Sequence, residues 1–203
     1  MPTYEAAISF LGLTLPLDEL QQELGAPLEF LTRERIEDII PDRSPFLIIE
    51  KAVIFEKPGG ELAILTLTTV TERPFCDGHI PGMPMIPLIT LSWVMALTGR
   101  LLATYHEKKP GVVGEVDHAD RVDSEVDFST LHFLKPPRQI LCMGVLAGTQ
   151  VIEKKGRNYP VKVIPAVAFS VGKDRMVSVG TINPLYYLMV PIPVLKRGLE
   201  RKE

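Results

Sequence analysis

One run constrains this chain more than any other. From Leu88 to about His106 there is no proline, and apolar residues fall on every side of a helical projection. Leu88, Leu91, Met95 and Leu102 share one side, while Ile89, Trp93, Ala96 and Ala103 occupy others. A helix apolar all round is a helix wrapped by its own protein. Pro87 stands where a first-turn proline is tolerated and its fixed φ assists. The flanking segments read as strands. Phe46–Phe55 and Leu62–Thr71 are rich in β-branched and apolar residues, and Lys57-Pro58-Gly59-Gly60 between them predicts a hairpin. Val126–Phe133, Ile140–Glu153 and Val161–Val171 follow, with Arg175–Ile182 reached through a Gly172-Lys173-Asp174 turn. The simplest architecture that buries both kinds of element is α+β, an antiparallel sheet curled around one central helix.

Length and charge narrow the function classes. A chain of 203 residues suits one domain with extensions. Its formal charge of −3 offers no clustered basic surface for nucleic acid. Ile80–Gly99 and Met176–Leu195 are both uncharged and long enough to span a bilayer. However, Pro81, Pro84 and Pro87 interrupt the first, and Gly180, Pro184, Pro191 and Pro193 the second, so neither reads as a spanning helix. No lysine or arginine precedes Arg33, which argues against a secretory signal. Two cysteines without a C-x-x-C pattern do not make a disulfide scaffold. The expectation is a cytoplasmic protein with no metal and no cofactor.

The segment with most chemistry in it is Glu72–Pro87. It holds His79 among glycines and prolines just ahead of the buried helix. A rigid loop fixes the orientation of an imidazole, and a helix N-terminus favours its neutral form. A neutral imidazole near pH 7 is what a general base requires.

Gly78-His79-Ile80-Pro81-Gly82-Met83-Pro84-Met85-Ile86-Pro87 resembles the G-H-F-P-G-x-P-x-x-P signature of the 3-hydroxyacyl-acyl-carrier-protein dehydratases. Upstream, Ile40-Pro41-Asp42-Arg43-Ser44-Pro45-Phe46-Leu47-Ile48-Ile49 is similar to that family's L-P-H-R-x-P-F-L-L-V stretch, and Glu72-Arg73-Pro74-Phe75 to its N-E-P-F element. The resemblance covers about Ile36 to Ile182 and implies the hot-dog fold, with a homodimer or higher oligomer. It divides the chain into an N-terminal helical arm (1–35), a hot-dog domain (36–182) and a proline-rich C-terminal arm (183–203). It also implies removal of water from an acyl thioester carried by acyl carrier protein or coenzyme A. In that scheme His79 takes the α-proton, and the backbone N–H of Leu88 polarises the thioester carbonyl. Phe75, Met83 and Pro87 are then candidates for the acyl pocket.

One member of the expected constellation is missing. Where the family carries a helix carboxylate stands Trp93, or Ser92 if one gap is allowed, and the family's following glutamine is Leu97. General acid–base catalysis typically contributes about 10²–10⁴-fold, so the loss is substantial. Asp77, Glu125 and Asp127 are conceivable local replacements, but a turn role suits Asp77. Val126 and Phe128 alternate with the other two acids, which places those acids towards solvent. A partner hot-dog subunit donating the acid ranks above all three, because the family's active site is shared between chains. The Glu115–Asp127 stretch, including His118, reads as a solvated acidic loop. His106 falls near a helix end, His132 reads as a strand residue, and Asn183–Leu195 reads as an extended arm over an apolar groove. Three readings result: a dehydratase-like enzyme, a non-catalytic acyl-binding subunit, and an acyl thioesterase.

Overall fold

The computed structural model describes residues 2–14, 18–72, 76, 84–107, 117–121, 126–127, 134–154, 156–173 and 175–191. Two helices, α1 (Tyr4–Leu11) and α2 (Asp18–Leu24), open the chain. They are followed by β1 (Ala26–Leu31), α3 (Arg33–Ile39), β2 (Lys51–Glu56) and β3 (Leu62–Val70). The long helix α4 (Leu88–Glu107) comes next. The remaining strands are β4 (Asp117–Arg121), β5 (Val126–Asp127), β6 (Arg138–Val145), β7 (Gly148–Lys154), β8 (Arg157–Val171) and β9 (Met176–Pro191). They form one antiparallel sheet in the order β1-β2-β3-β6-β8-β9-β4, with β5 beside β9 and β7 beside β8. This sheet wraps α4, as the hot-dog fold requires.

The sheet has an apolar layer on each face. Ile64, Ile140, Cys142, Ile164 and Ala168 pack on the inner side with Leu91, Val94, Leu97, Leu101 and Leu102 of α4. On the outer side Val53, Phe55, Leu65 and Leu141 pack with Tyr4, Ala7, Leu11 and Leu24 of the N-terminal helices. Strand β3 is therefore covered on both sides, which is why its residues show almost no alternation between buried and exposed. A fully buried leucine-sized side chain contributes roughly 1.5–3 kcal/mol, so α1 and α2 are integral to the outer layer. Lys51 adds to the attachment by donating from Nζ to the Phe10 carbonyl at 2.7 Å. Among the described helices only α4 has the length and apolarity of a membrane span, and 61 % of that stretch is buried inside the protein.

Several boundaries differ from the sequence reading. The N-terminal arm contains a strand: β1 pairs with β2 from Ala26↔Glu56 to Leu31↔Ala52. Gly25 makes that turn possible, because its φ is +81° and a side chain there would strike the Glu56 backbone. The single strand expected over Ile140–Glu153 is two, β6 and β7, separated at Leu146–Ala147. Strand β2 starts at Lys51, later than the expected Phe46, because the preceding residues form a turn over α4.

The largest correction concerns the C-terminal arm. Strand β9 does not stop at Ile182 but continues to Pro191 within the sheet. Proline is compatible with this strand because the ladder shifts register between Ile164 and Ala166, opposite Leu185 and Ile182, and Pro165 and Pro184 sit within that shift. The extended β9 also gives Asp117–Arg121 a pairing edge, so part of the presumed acidic loop is strand β4. Of the strand expected over Val126–Phe133, Val126 and Asp127 form β5 and the rest lies outside the described residues.

Candidate functional site

The connection from β3 to α4 carries the distinctive motif. His79, Phe75, Met83 and Asp77 fall in it outside the described residues. Its described positions are anchored. Cys76 N donates to the Glu72 carbonyl at 2.8 Å, and the Cys76 thiol lies 3.5 Å from the Thr71 carbonyl. Burial, with the Glu72 charge as the lesser cause, pushes this thiol's pKa up. Ile86 N donates to Leu134 O at 2.9 Å, and Pro87 is buried. Thr90 N reaches back to the Pro87 carbonyl at 3.0 Å, closing the first turn of α4. Leu88 opens the helix with its side chain turned outward, 39 % exposed.

At the position of the expected carboxylate, Trp93 is half-buried and its indole Nε1 donates to the Phe46 carbonyl oxygen at 2.8 Å. Ser92 Oγ donates to the Leu88 carbonyl at 3.3 Å, a bond within its own helix. Neither side chain has the acidity of a carboxyl group, and each has its proton engaged by a backbone carbonyl. Beside them Phe46, Ile89, Thr90 and Trp93 line a cleft of about 250 Å³.

The turn that supplies Phe46 is held on α4 by a second contact. Arg100 Nη1 lies 2.9 and 3.0 Å from the two carboxylate oxygens of Asp42. These side chains are only 15 % and 10 % exposed. Arg43 Nη1 donates to the Ile40 and Asp42 carbonyls, while the backbone N–H groups of Phe46 and Leu47 donate to the Arg43 carbonyl. Sequence reasoning missed this pairing, because it joins residues 58 positions apart. The available signal was that Arg100 ends a long uncharged run and stands two helical turns beyond Trp93.

Other candidate groups lie elsewhere. His106 sits at the opposite end of α4, where its Nδ1 is 3.4 Å from Glu107 Oε1. Glu107 also receives Lys162 Nζ at 2.6 Å. Burial raises the pKa of this carboxyl, but the hydrogen bonds and charges of Lys162 and His106 outweigh it and hold the group low. Cys142 is buried beside the Thr66–Thr98 hydroxyl pair at 2.7 Å, and burial pushes its thiol up to about 12. His118 and Asp127 fall on the backbone of β4 and β5, whereas Glu125 and His132 lie outside the described residues. No cluster of three metal-ligating side chains occurs among the described residues.

Comparison with known proteins gives a consistent picture. No family model matches the chain. It is 34 % identical over 92 residues to the 3-hydroxyacyl-[acyl-carrier-protein] dehydratase FabZ of Syntrophomonas wolfei, covering 45 % of this chain and 62 % of that protein. It is 32 % identical over 88 residues to the same dehydratase of Oceanobacillus iheyensis, covering 43 % and 61 %. The chain thus spans about three-fifths of the length of these relatives. Among solved structures, the dehydratase heterocomplex ApeI:P from Xenorhabdus doucetiae superimposes with a TM-score of 0.55 at 10 % identity, over 81 % of this chain and 96 % of that one. The fold is the hot-dog fold, and the sequence is dehydratase-like.

Proposed function

We propose that this dehydratase-like hot-dog chain handles acyl thioesters and contributes the base for hydration–dehydration of a 3-hydroxyacyl thioester. His79 removes the proton from C2, the C2=C3 double bond forms, and the C3 hydroxyl leaves as water with a proton from an acid. The observation that carries this reading is the Gly78–Pro87 motif lying in the connection from β3 to the wrapped helix α4. The dehydratase relatives, named for acyl-carrier-protein substrates, support the same class of chemistry.

The acid comes from a second hot-dog chain. The described part of α4 carries no carboxylate before Glu107, which is paired with Lys162 at the far end of the helix. The ApeI:P structure, by its name a heterocomplex of a dehydratase, lends support to a two-chain arrangement.

A second reading is favoured by one observation: Trp93 is held by the Phe46 carbonyl and fills the acid's position. In this version the chain is a non-catalytic subunit that shapes an acyl site. His79→Ala separates the two. Loss of 3-hydroxyacyl-thioester turnover with unchanged circular dichroism supports the base role. Undiminished turnover in the variant refutes it.

A further inference from the structure

We propose that Arg138, Thr68 and Ser170 form a carboxylate-binding corner on the inner face of the sheet, so that this chain takes acyl thioesters whose acyl group carries a carboxylate of its own. The inference rests on the reading that the protein handles acyl thioesters, and it names the class of acyl group.

Strand register brings the three side chains together. Ile140 of β6 lies between Thr68 of β3 and Ser170 of β8, and Arg138, two residues earlier on β6, is opposite Val70. Residues directly opposite each other on a ladder share a face, as do residues two apart on one strand. Ile140 and Val70 belong to the inner core, so Thr68, Ser170 and Arg138 stand on that face as well. Arg138 is a diagonal neighbour of both hydroxyl residues, a backbone separation of roughly 7–8 Å that a long side chain spans. The place is the root of the connection from β3 to α4. Val70 ends β3, and Leu134, four residues before Arg138, accepts from Ile86 N at the other end of that connection.

The polar atoms of this corner are unspent. Arg138 Nε and Thr68 Oγ1 are both buried without a hydrogen-bond partner. Thr68 is 1 % and Ser170 6 % exposed, whereas Arg138 is only half-buried, which leaves its guanidinium open to a ligand. Among the described residues no carboxylate pairs with Arg138, and α4 carries none before Glu107. The surrounding inner-face groups, Val70, Leu91, Val94, Leu134 and Ile140, are apolar. A cation held among apolar groups without counter-charge is costly, and a ligand that brings the counter-charge removes that cost. The donor set selects a carboxylate. A guanidinium gives a carboxylate two parallel N–H bonds, and hydroxyls donate to its remaining lone pairs. A carboxamide leaves the cation uncompensated, and a phosphate monoester brings about −1.5 to −2 charges to a single cation.

The test compares two ligands of equal length and shape. The full-length protein is titrated calorimetrically with the glutaryl thioester of N-acetylcysteamine and with its isostere ending in a carboxamide. Neither has a 3-hydroxyl group, so no dehydration accompanies binding. The expected result is tighter binding of the glutaryl thioester by about ten- to hundred-fold, as for hydrogen bonds to a charged group. Arg138→Met should abolish that preference, and Arg138→Lys, which keeps the charge but loses the fork, should retain only part of it. Thr68→Val should reduce it several-fold. Unliganded Arg138→Met should keep or raise the Tm, because the cation has no protein partner to lose.

Equal binding of the two thioesters, or a preference that survives in Arg138→Met, overturns the proposal. So does a large fall in Tm for unliganded Arg138→Met, because Arg138 would then serve a carboxylate of the protein itself or of a second copy. Inorganic phosphate that displaces the glutaryl thioester at equal concentration overturns the carboxylate assignment. A protein inert toward 3-hydroxyacyl thioesters that still shows the preference loses the base role of His79 and keeps the corner. An active protein without the preference loses the corner alone.

Discussion

The indole N–H of Trp93 donates to the carbonyl oxygen of Phe46 at 2.8 Å, tying the central helix to the turn that precedes the first long hairpin. Two helical turns farther on, Arg100 grips the carboxylate of Asp42 in the same turn. Trp93 and Arg100 thus brace the central helix against this turn. The chemistry of that brace is packing and hydrogen bonding, not proton transfer.

The Asp42–Arg100 pair should be costly to break from one side. Truncating one partner of a largely buried ion pair leaves the other charge uncompensated, and the penalty is about 3 kcal/mol or somewhat more. Asp42→Asn and Arg100→Met are each expected to lower stability by that order in denaturant unfolding. The double variant should lose much less than the sum. Additive losses would show that the two side chains do not act together.

Gly99 is required by contact with a neighbouring aromatic residue. A Cβ at this position would collide with the Tyr187 hydroxyl and ring, and Tyr187 Oη donates to the Ala96 carbonyl at 2.6 Å. Alanine is the better helix former by about 1 kcal/mol, but overpacking costs typically about 1–3 kcal/mol. Gly99→Ala should therefore destabilise the native protein, and its further cost should be smaller in a Tyr187→Ala background, which is itself destabilised by the loss of a fully buried side chain. A higher Tm for Gly99→Ala would contradict the packing.

The cysteines provide a check on the core. Burial pushes the Cys142 thiol up to about 12, against a lesser opposing effect from the Thr98 hydroxyl. A protonated, enclosed thiol is a poor nucleophile. At about pH 8, Cys142 should resist an aromatic disulfide reagent in the native protein and react fully in denaturant. Cys76 is buried as well, and its raised thiol should react slowly. Fast native labelling of Cys142 would show that the β3–β6–α4 core opens readily.

Glu107 gives a pH dependence with a definite sign. Its carboxyl is held below the ordinary carboxylate range, because Lys162 and His106 outweigh the raising effect of burial. The unfolded chain therefore binds this proton more readily than the folded one. The contribution to stability is present above the unfolded pKa and disappears as pH falls through the folded value. Glu107→Gln should lower Tm near neutral pH, with the difference shrinking towards about pH 3. A difference that grows on acidification would reverse the assignment.

Much of the fold was legible because its governing patterns are local. A helix apolar on all sides after Pro87 had to be wrapped, and Lys57-Pro58-Gly59-Gly60 had to turn: Gly60 N donates to the Lys57 carbonyl at 2.8 Å. Prolines obscured the rest. The prolines of Asn183–Leu195 spoke against a helix and left an extended arm as the reading, whereas the register shift opposite Pro165 lets Pro184 sit within β9. Strand β1 was hidden because its six residues, Ala26–Leu31, lie between two short helices and pair with β2 through a turn and helix.

The site was legible only in part for a related reason. The Gly78–Pro87 motif is continuous in sequence, and the absence of a carboxylate from Leu88 to His106 can be read directly from it. The use to which Trp93 is put was not readable, since its acceptor is a backbone carbonyl that leaves no side-chain signature. Arg100 and Asp42 likewise meet only after the sheet has folded around α4.

A complementation assay tests the central claim most directly. The chain is combined with a co-purifying hot-dog subunit that carries a helix carboxylate but has its own loop histidine replaced by alanine. Turnover of a 3-hydroxyacyl thioester is then measured for each chain alone and for the mixture. The account predicts turnover in the mixture only, and its loss when His79→Ala replaces the native chain. Turnover that persists with His79→Ala would contradict it.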